Sequence, residues 1–277
     1  MVPSDQCFDR LPVSLKKQFS FRISVPSFIY PAHWLPNIRM LGPYVDEIEV
    51  LIFDSTRTDL PTKDDIRSMA ALADEFNLRY NIHLPVDVAL GNSHPERRQH
   101  AVDTIVRTFA LTEPLMPTAR VLHLPLDVIA PDGTEPDQTE IDYWRQRLER
   151  SVDAIINAGI PGSSLSVENL NYPLEWIRPI IETFDLAVCL DIGHLLAHGI
   201  DWHAEYQKWN HRINMIHLHG IRNDRDHCAL DTLPPSILTS ILAALGSFTE
   251  TVSVEVFSFE DLKKSLACLE KYGQNKG

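Results

Sequence analysis

The amino-acid sequence predicts a single (β/α)8 barrel, and three observations lead to this prediction. Eight short runs rich in Val, Ile and Leu recur along the chain, and stretches with helical periodicity separate them. The length of 277 residues suits this fold, which typically takes about 250 residues. The chain has only 11 glycines and lacks the glycine-rich phosphate loop usual in an open doubly wound sheet. We expect one domain over 1–277, with an N-terminal extension at 1–20 and the barrel at about 21–265.

Each apolar run has the composition of a buried parallel strand. Most runs span roughly seven residues and are rich in β-branched side chains, which is typical when helices cover a parallel sheet. In chain order the runs are 21–28, 47–53, 79–85, 120–126, 164–170, 186–192, 213–219 and 251–257. A parallel arrangement brings the carboxyl ends of all these strands to one rim of the barrel.

Helix-start and helix-stop signals mark the segments between the runs. Thr62 is the predicted cap of one helix, and two acidic residues in its first turn suit the helix dipole. Ser93 is the predicted cap of the next helix, with Pro95 near the first helical position. Gly159 is the predicted stop of the helix over 139–159. The remaining predicted helices are 172–184, 201–212, 233–246 and 259–272, and the least regular segment is the proline-broken 31–45.

Composition argues against several classes of function. Lys and Arg total 25 against 38 Asp and Glu, a formal charge of −13, and this disfavours affinity based on neutralising the phosphates of a long nucleic acid. The four cysteines are scattered without a CxxC motif, which excludes a disulfide scaffold and suits a reducing cytoplasm. No apolar run is long enough to span a membrane, and the first residues lack the apolar core of a signal peptide. We therefore expect a cytoplasmic protein with no membrane partner.

Side chains that bind metals lie at the carboxyl ends of six of the eight runs. A single histidine in a strand is more often a satisfied core residue, but an ionised carboxylate inside a closed barrel is costly unless it is paired or metal-bound. Histidines combined with carboxylates suit Zn, Mn or Fe(II) better than Mg or Ca. So many ligands exceed one tetrahedral ion and predict two or three ions, with a carboxylate such as Glu168 bridging them. The residues of ligand type are His83, His123, Glu168, Asp191, His194, His217, His219, Asp224, Asp226, His227 and Glu255.

Other residues of chemical interest have simpler explanations. Cys189 lies in the sixth run and is predicted to pack as a small buried apolar residue. The aromatic residues Phe28, Tyr30 and Trp34 follow the first strand, where they either form a wall over the site or pack the top of the barrel. The histidines outside the runs are predicted to be solvated, and they are His33, His94, His100, His198, His203 and His211.

The ordered ligand set resembles the xylose-isomerase-like barrels, and more narrowly the endonuclease IV branch, also called AP endonuclease family 2. The resemblance extends over about residues 20–260, and its motifs include VEN at 167–169 and DIGH at 191–194. Sugar isomerases and epimerases of this superfamily typically use four ligands, which correspond here to Glu168, Asp191, His217 and Glu255. The endonuclease-like branch adds ligands that correspond here to His83, His123, His194 and His227 with Asp226 or Asp224.

The loop after the seventh strand departs from that pattern. The family has Asp-x-His, whereas here Asp226 and His227 are adjacent and Asp224 lies three residues before His227. Which aspartate would bind metal is therefore open at this stage. The segments 26–32 and 45–53 and the segment 226–231 also resemble the cobamide-remodelling phosphodiesterases. These are a bacterial subgroup that hydrolyses the nucleotide-loop phosphodiester of vitamin B12-type cofactors.

The resemblance implies a metal-dependent hydrolase, a phosphodiesterase acting on a small phosphodiester such as that of a cobamide. It implies two-metal hydrolysis in which Glu168 bridges the ions and orients or deprotonates the water. A rim of Phe28, Tyr30 and Trp34 would suit a bulky, partly apolar substrate. The alternatives are a sugar isomerase or epimerase on the same barrel, an endonuclease IV-like DNA repair enzyme, and a catalytically silent metal-binding module.

Overall fold

Eight parallel strands form a closed barrel in the structure, a computed structural model that describes residues 8–56, 60–127, 136–223 and 225–274. The strands are β1 (Arg22–Pro26), β2 (Glu47–Leu51), β3 (Arg79–His83), β4 (Arg120–Leu122), β5 (Ser166–Glu168), β6 (Ala187–Asp191), β7 (Ile213–Leu218), β8 (Gly220–Arg222), β9 (Arg225–Cys228) and β10 (Thr251–Val254). Strands β8 and β9 pair as a separate antiparallel hairpin. The order around the barrel is β1-β10-β7-β6-β5-β4-β3-β2. The predicted (β/α)8 barrel is therefore confirmed.

Each of the eight apolar runs contains one barrel strand, but the hydrogen-bonded ladder ends before the run does. The run 120–126, for example, contributes only Arg120–Leu122 to the ladder. Pro125 lies just beyond this strand and lacks the amide donor that a further ladder bond would need. His123 and Glu255 directly follow β4 and β10, at the carboxyl end of the barrel.

Helices alternate with the barrel strands along the chain. They are α1 (Trp34–Leu41), α2 (Lys63–Phe76), α3 (Pro95–Thr112), α4 (Gln138–Asn157), α5 (Arg178–Thr183), α6 (Ile192–Ala197), α7 (Trp202–Trp209), α8 (Pro235–Ala244) and α9 (Phe259–Gln274). Their apolar faces cover the outside of the barrel, and one continuous core includes the buried Trp144 of α4 and Trp209 of α7. Among the described residues, no helix has both the length and the apolarity needed to cross a bilayer.

The predicted helix ends are partly correct. Thr62 caps α2 as predicted, and its hydroxyl and the carboxylate of Asp65 form a reciprocal capping box. The prediction for Ser93 is wrong, because His94 occupies the cap position of α3 and the Ser93 amide instead donates to the Asp127 carboxylate at 2.8 Å. The predicted helix over 172–184 divides into a 3-10 turn at Leu174–Ile177 and α5. The short helix α6 was not among the predicted elements.

The lower interior of the barrel contains a polar network around a buried glutamate. Glu47 on β2 is fully buried and accepts hydrogen bonds from Asn81 Nδ2 at 2.8 Å and Thr251 Oγ1 at 3.0 Å. The Thr118 hydroxyl also donates to this carboxylate, and the Arg22 guanidinium pairs with it at 3.1 Å. Both carboxylate oxygens of Glu47 thus have a donor, so other protein groups compensate the buried charge of this residue.

Candidate metal centre

The strand ends bring the predicted ligands together inside the carboxyl rim. His83 is the last residue of β3, Glu168 of β5 and Asp191 of β6. These three side chains and those of His217 and Glu255 are almost completely buried, with exposed fractions between 0% and 4%. Parallel strand order explains the convergence, since the carboxyl ends of consecutive strands meet at one rim.

A first group of ligand-type side chains, here site A, comprises His83, His123 and Glu168. Glu168 Oε2 lies 3.3 Å from His83 Nε2 and 2.9 Å from His123 Nε2. The other nitrogen of His83 lies 3.1 Å from the Leu84 carbonyl oxygen and donates to it. This hydrogen bond leaves Nε2 as the nitrogen that can bind a metal, because a neutral imidazole carries only one hydrogen.

A second group, site B, comprises Glu168, Asp191, His217 and Glu255. His217 Nδ1 lies 3.0 Å from Glu255 Oε2, 3.4 Å from Glu168 Oε1 and 3.8 Å from Asp191 Oδ2. One imidazole nitrogen therefore faces three carboxylates. All four side chains are nearly completely buried, so water cannot offset the cost of bringing three carboxylates together.

Glu168 belongs to both groups, and its two oxygens face different partners. Oε2 faces the two histidines of site A, whereas Oε1 faces His217 of site B. A carboxylate in this orientation can bind one ion with each oxygen. The geometry therefore suits the bridging role expected for Glu168.

A third group, site C, comprises His194, Asp226 and His227 at the opening of the barrel. Asp226 Oδ2 lies 3.9 Å from Nε2 of His194 and 3.9 Å from Nε2 of His227. His194 Nδ1 donates to the Asn169 carbonyl oxygen at 3.2 Å and His227 Nδ1 to that of Glu255 at 3.1 Å, so both rings present Nε2 to site C. Asp224, the other aspartate considered from sequence, lies outside the described residues.

The DIGH motif places two ligands by starting a helix. Asp191 is the cap residue of α6, and its Oδ1 accepts from the His194 amide at 2.7 Å. Asn169 of the VEN motif holds the same backbone, since its amide group exchanges two hydrogen bonds with the Asp191 main chain. Gly193 is required here because a Cβ at this position would lie 2.1 Å from the His219 ring.

His219 supports the centre as well as lying within it. Its donor atoms lie within 4.8 Å of those of His194 and His227. Its Nδ1 lies 3.0 Å from the His227 amide nitrogen and 3.2 Å from the Gly220 carbonyl oxygen, and its Nε2 lies 3.2 Å from Asp191 Oδ1. His219 therefore lies between the hairpin of β8 and β9 and the carboxylate of Asp191. His227 itself adopts a left-handed backbone with φ of 49°, a conformation that non-glycine residues keep only when the surroundings enforce it.

Buried histidines with raised pKa values face buried carboxylates with lowered pKa values in the centre. Burial lowers the pKa of His217, but Cys189, Glu255 and the other nearby carboxylates raise it well above its usual value. Burial raises the pKa of Glu168, yet His217 and His123 hold it well below the usual range. Metal ions compete with protons for such groups, so metal affinity in this centre must depend on pH.

Several buried polar atoms of the centre have no hydrogen-bond partner among the described residues. They are Glu49 Oε1, Asp191 Oδ2, both nitrogens of His217, His219 Nε2 and Glu255 Oε2. Buried polar groups are normally satisfied, and the exceptions that face the ligand groups, among them Asp191 Oδ2, Glu255 Oε2 and His217 Nδ1, call for a partner that the described residues do not supply. Mixed imidazole and carboxylate donors fit divalent Zn, Mn or Fe(II), so the residues present match the ions expected from sequence.

Sequence reasoning missed one buried carboxylate of the centre. Glu49 on β2 is fully buried, and its Oε1 lies 3.2 Å from His217 Nε2. The run 47–53 has Glu47 and Glu49 at a two-residue spacing, which places both side chains inside the barrel. That alternation was the signal available in the sequence.

The structure also places the remaining candidates. Cys189 is fully buried beside Val121 and Met215, as its predicted packing role requires, and burial raises the pKa of its thiol. Its Sγ lies within 4.8 Å of donor atoms of Glu168 and His217. All six histidines predicted to be solvated are at least partly exposed, namely His33, His94, His100, His198, His203 and His211.

An aromatic surface extends from site C along the rim. Phe257 lies 4.8 Å from the His227 ring and 6.3 Å from Phe53, and Phe53 meets Phe28 edge to face at 4.9 Å. Phe28, Phe53 and Trp34 line an adjoining cavity of about 500 Å³. Sequence reasoning missed Phe53 and Phe257.

The prediction that Tyr30 belongs to the aromatic rim is wrong. Only 4% of this residue is exposed, its ring packs on Phe8 and Phe259, and its hydroxyl donates to the Asp9 carbonyl oxygen. The N-terminal segment thus covers Tyr30, and this residue is absent from the described lining of the cavity.

The fold and the centre together define a (β/α)8 barrel with clusters of histidines and carboxylates that could hold divalent metal ions. The chain belongs to the xylose isomerase-like TIM barrel family, also termed AP endonuclease 2, whose sequence model matches residues 40–272. No curated protein matches the sequence significantly.

Solved structures with the same fold include epimerases and an endonuclease. A D-tagatose 3-epimerase-like protein has a TM-score of 0.70 at 17% identity, covering 92% of this chain and 97% of its own. The 3-keto-D-glucoside 4-epimerase from E. coli has a TM-score of 0.67 at 16% identity, covering 92% and 99% respectively. Endonuclease IV from Thermus thermophilus has a TM-score of 0.67 at 15% identity, covering 90% of this chain and 99% of its own. At these identities the similarity shows the shared fold.

Proposed function

We propose that this protein is a metal-dependent phosphodiesterase acting on a small phosphodiester. The observation that carries the proposal is the number and arrangement of ligand-type groups around Glu168. Sites A, B and C surround one carboxylate that presents an oxygen to each of sites A and B. Phosphodiester hydrolysis uses two neighbouring ions to stabilise the attacking and leaving oxygens, and such a double site requires a bridging ligand.

The chain supplies the ligands and the geometry, while bound divalent ions supply charge neutralisation of the phosphoryl group and activation of water. His83 and His123 would hold one ion with Glu168, and site B would hold the second. Site C lies beyond them at the opening, where Asp226 and two imidazoles can complete a third position. The strongly lowered pKa of Glu168, held down by His217 and His123 against the effect of burial, suits a permanently ionised bridging ligand better than a proton acceptor.

The surroundings of the centre favour a compact, partly apolar substrate over long DNA. The formal charge of −13 disfavours an interface that neutralises many phosphates. The exposed ring of Phe257 lies beside His227 of site C, and the exposed rings of Phe53 and Phe28 continue from it to the cavity of about 500 Å³. A flat or bulky apolar group attached to the phosphodiester would bury these rings. A cobamide, whose nucleotide loop contains such a phosphodiester, is our specific candidate.

A sugar epimerase or isomerase is the second candidate function. Site B by itself has the two glutamates, the aspartate and the histidine that correspond to the single-metal ligands of sugar-converting members of the superfamily. The structurally similar D-tagatose 3-epimerase-like protein and 3-keto-D-glucoside 4-epimerase support this candidate. It leaves sites A and C without a role, which is why we place it second.

Metal analysis followed by a product assay tests the proposal. We expect about two or more transition ions per chain after growth in metal-replete medium, whereas one ion would favour sugar chemistry. With a B12-type cofactor and added Zn, Mn or Fe(II), chromatography should show a base riboside and a cobinamide phosphate. Phe53→Ala should raise KM for this substrate more than it lowers kcat, and the exposed Met116→Ala, a matched surface change, should alter neither.

Three results would contradict the proposal in different ways. An intact cofactor together with efficient nicking of abasic DNA would assign the protein to DNA repair. Inertness on both substrates with interconversion of a ketose would assign it to the epimerases. Metal binding without any turnover would leave a catalytically silent metal-binding barrel.

A further inference from the structure

We propose that Glu49 is a positioning residue that fixes the orientation and the metal-binding nitrogen of His217. The inference rests on the metal centre of the proposed function, but not on the phosphodiester reaction. It concerns a carboxylate on β2, a strand that contributes no residue to sites A, B or C. The argument depends on which partner each nitrogen of His217 and each oxygen of Glu49 faces.

The two nitrogens of His217 have very different surroundings. Nδ1 faces the three carboxylates of site B, at 3.0 to 3.8 Å. Nε2 faces away from them and lies 3.2 Å from Glu49 Oε1. A neutral imidazole binds a metal through its unprotonated nitrogen and donates the hydrogen on the other. Since Nδ1 faces the common ligand group, we place the hydrogen on Nε2, where Glu49 Oε1 is the carboxylate oxygen within reach, at an ion-pair distance of 3.2 Å that falls short of a formed hydrogen bond.

Glu49 is itself held for this task. Its Oε2 accepts a hydrogen bond from the Ser253 hydroxyl at 2.5 Å, and both residues are fully buried. Ser253 is the register partner of His217 between β10 and β7, so the hydroxyl and the imidazole project from neighbouring strands at the same level. Oε1 has no hydrogen-bond partner among the described residues, and it lies 3.2 Å from His217 Nε2. The carboxylate is thus anchored through one oxygen, and its free oxygen faces the imidazole.

Glu49 could instead act as a ligand, because its carboxylate also forms a close group with His83 and Glu255. Two observations favour the positioning role. Ser253 holds one oxygen of Glu49, as expected for a carboxylate that supports a metal ligand rather than binding the metal itself. In addition, the residues of sites A and B form close groups without Glu49. Carboxylates that accept from a metal-binding imidazole set its tautomer and strengthen its donor nitrogen.

The first test measures the tautomer of His217 directly and needs no variant. In zinc-loaded protein labelled with 15N-histidine, long-range 1H–15N correlation spectra should show His217 protonated at Nε2 and metal-bound at Nδ1. His217→Gln identifies the signal by its loss. Protonation at Nδ1, with the metal on Nε2, would overturn the proposal.

The second test compares variants by zinc content and by competition with a chelator. Glu49→Gln should keep the number of ions per chain but weaken zinc binding about 10- to 100-fold. Ser253→Ala, which removes only the anchor, should weaken it less. Glu47→Gln, the buried neighbour on the same face of β2, is the matched control and should keep zinc affinity within about threefold of wild type.

The outcomes separate the alternatives. Loss of one ion per chain in Glu49→Gln would make Glu49 a ligand, and unchanged affinity in both Glu49→Gln and Ser253→Ala would show that it does not act through His217. If Glu49→Gln does not fold, Ser253→Ala and the wild-type spectrum still decide. None of these measurements uses a substrate, so a protein that shows the expected tautomer but cleaves no phosphodiester would refute the proposed function alone.

Discussion

Glu47 and Glu49 are two residues apart on the same strand, face the same barrel interior and are both fully buried, yet their surroundings are opposite. The Glu47 carboxylate receives hydrogen bonds from Asn81, Thr118 and Thr251 and an ion pair from Arg22. One layer higher, several donor and acceptor atoms of the metal centre lack any hydrogen-bond partner among the described residues. The Glu47 carboxylate is satisfied by protein groups, although Asn81 Oδ1 beside it has no partner in the described part of the chain, whereas six unsatisfied atoms cluster in the upper layer, which could bind cations. Burial of charge alone therefore does not distinguish a structural network from a functional one, but a cluster of unsatisfied atoms points to a binding site.

The largest expected effect is on catalysis and comes from the upper layer. Glu168→Gln keeps the shape of the side chain but removes the charge that sites A and B share, so turnover should fall to background while the protein stays folded. Steady-state rates with the preferred phosphodiester and circular dichroism measure the two quantities. A variant that retained more than a tenth of the wild-type rate, a loss under about 1.4 kcal/mol, would show that Glu168 does not bind the reacting ions.

Removal of metal from the upper layer should lower the stability of the folded protein. Ions that bind only the folded state stabilise it by mass action, by about 2.7 kcal/mol at a hundredfold excess over Kd. We expect the melting temperature to fall on treatment with a chelator and to recover on adding Zn, Mn or Fe(II). In Glu168→Gln the recovery should be much smaller. Equal melting temperatures with and without metal in the wild type would argue against the whole centre.

Glu47→Gln should act in the opposite way and cost stability with little effect on bound metal. The substitution leaves the Arg22 guanidinium and several buried donors with a weaker acceptor, at a cost of about 1–3 kcal/mol. Because the Arg22 side chain is 24% exposed, solvent limits the loss. Urea unfolding of wild type and variant gives the difference in free energy. A variant of unchanged stability would show that the polar network contributes little.

The pH dependence of the metal-free protein should reflect its protonated histidines. Burial lowers the pKa of His219, but Asp191 raises it from its usual 6.5 to about 9. The stabilisation is therefore complete below pH 6.5 and is lost as pH rises through about 9. Calorimetry in chelator should show a melting temperature that declines over this window. Metal-loaded protein should decline less, because ions replace the protons, and parallel declines would contradict the assignment.

The smallest expected effect is at an exposed histidine. His203 lies on α7 with its side chain at the surface, away from the three sites. His203→Ala should leave metal content, melting temperature and turnover near wild-type values. A large effect on metal content would show that the sequence-based division between rim and surface histidines is wrong.

The sequence by itself determined the barrel, because strand and helix periodicities depend on local spacing of apolar residues. It also determined which ligand-type residues lie at strand ends, since every ligand of sites A, B and C was visible as His, Asp or Glu at the end of an apolar run or in the following loop. The cap was placed one residue too early at Ser93, since α3 begins at Pro95 with His94 in the cap position. The Ser93 amide donates to Asp127, a contact that the local sequence does not show.

Only the tertiary structure decided how those residues divide into sites and which neighbours support them. Glu49 reaches His217 across the barrel, and no sequence spacing connects β2 with β7. Tyr30 was expected at the rim, but the N-terminal segment covers it, whereas Phe53, which was not named from the sequence, is exposed beside the cavity. Local periodicity fixes which face a side chain occupies, but closure of the barrel fixes what it meets there. The partner of each ligand nitrogen and oxygen is therefore set by closure of the barrel and cannot be derived from any single segment of the chain.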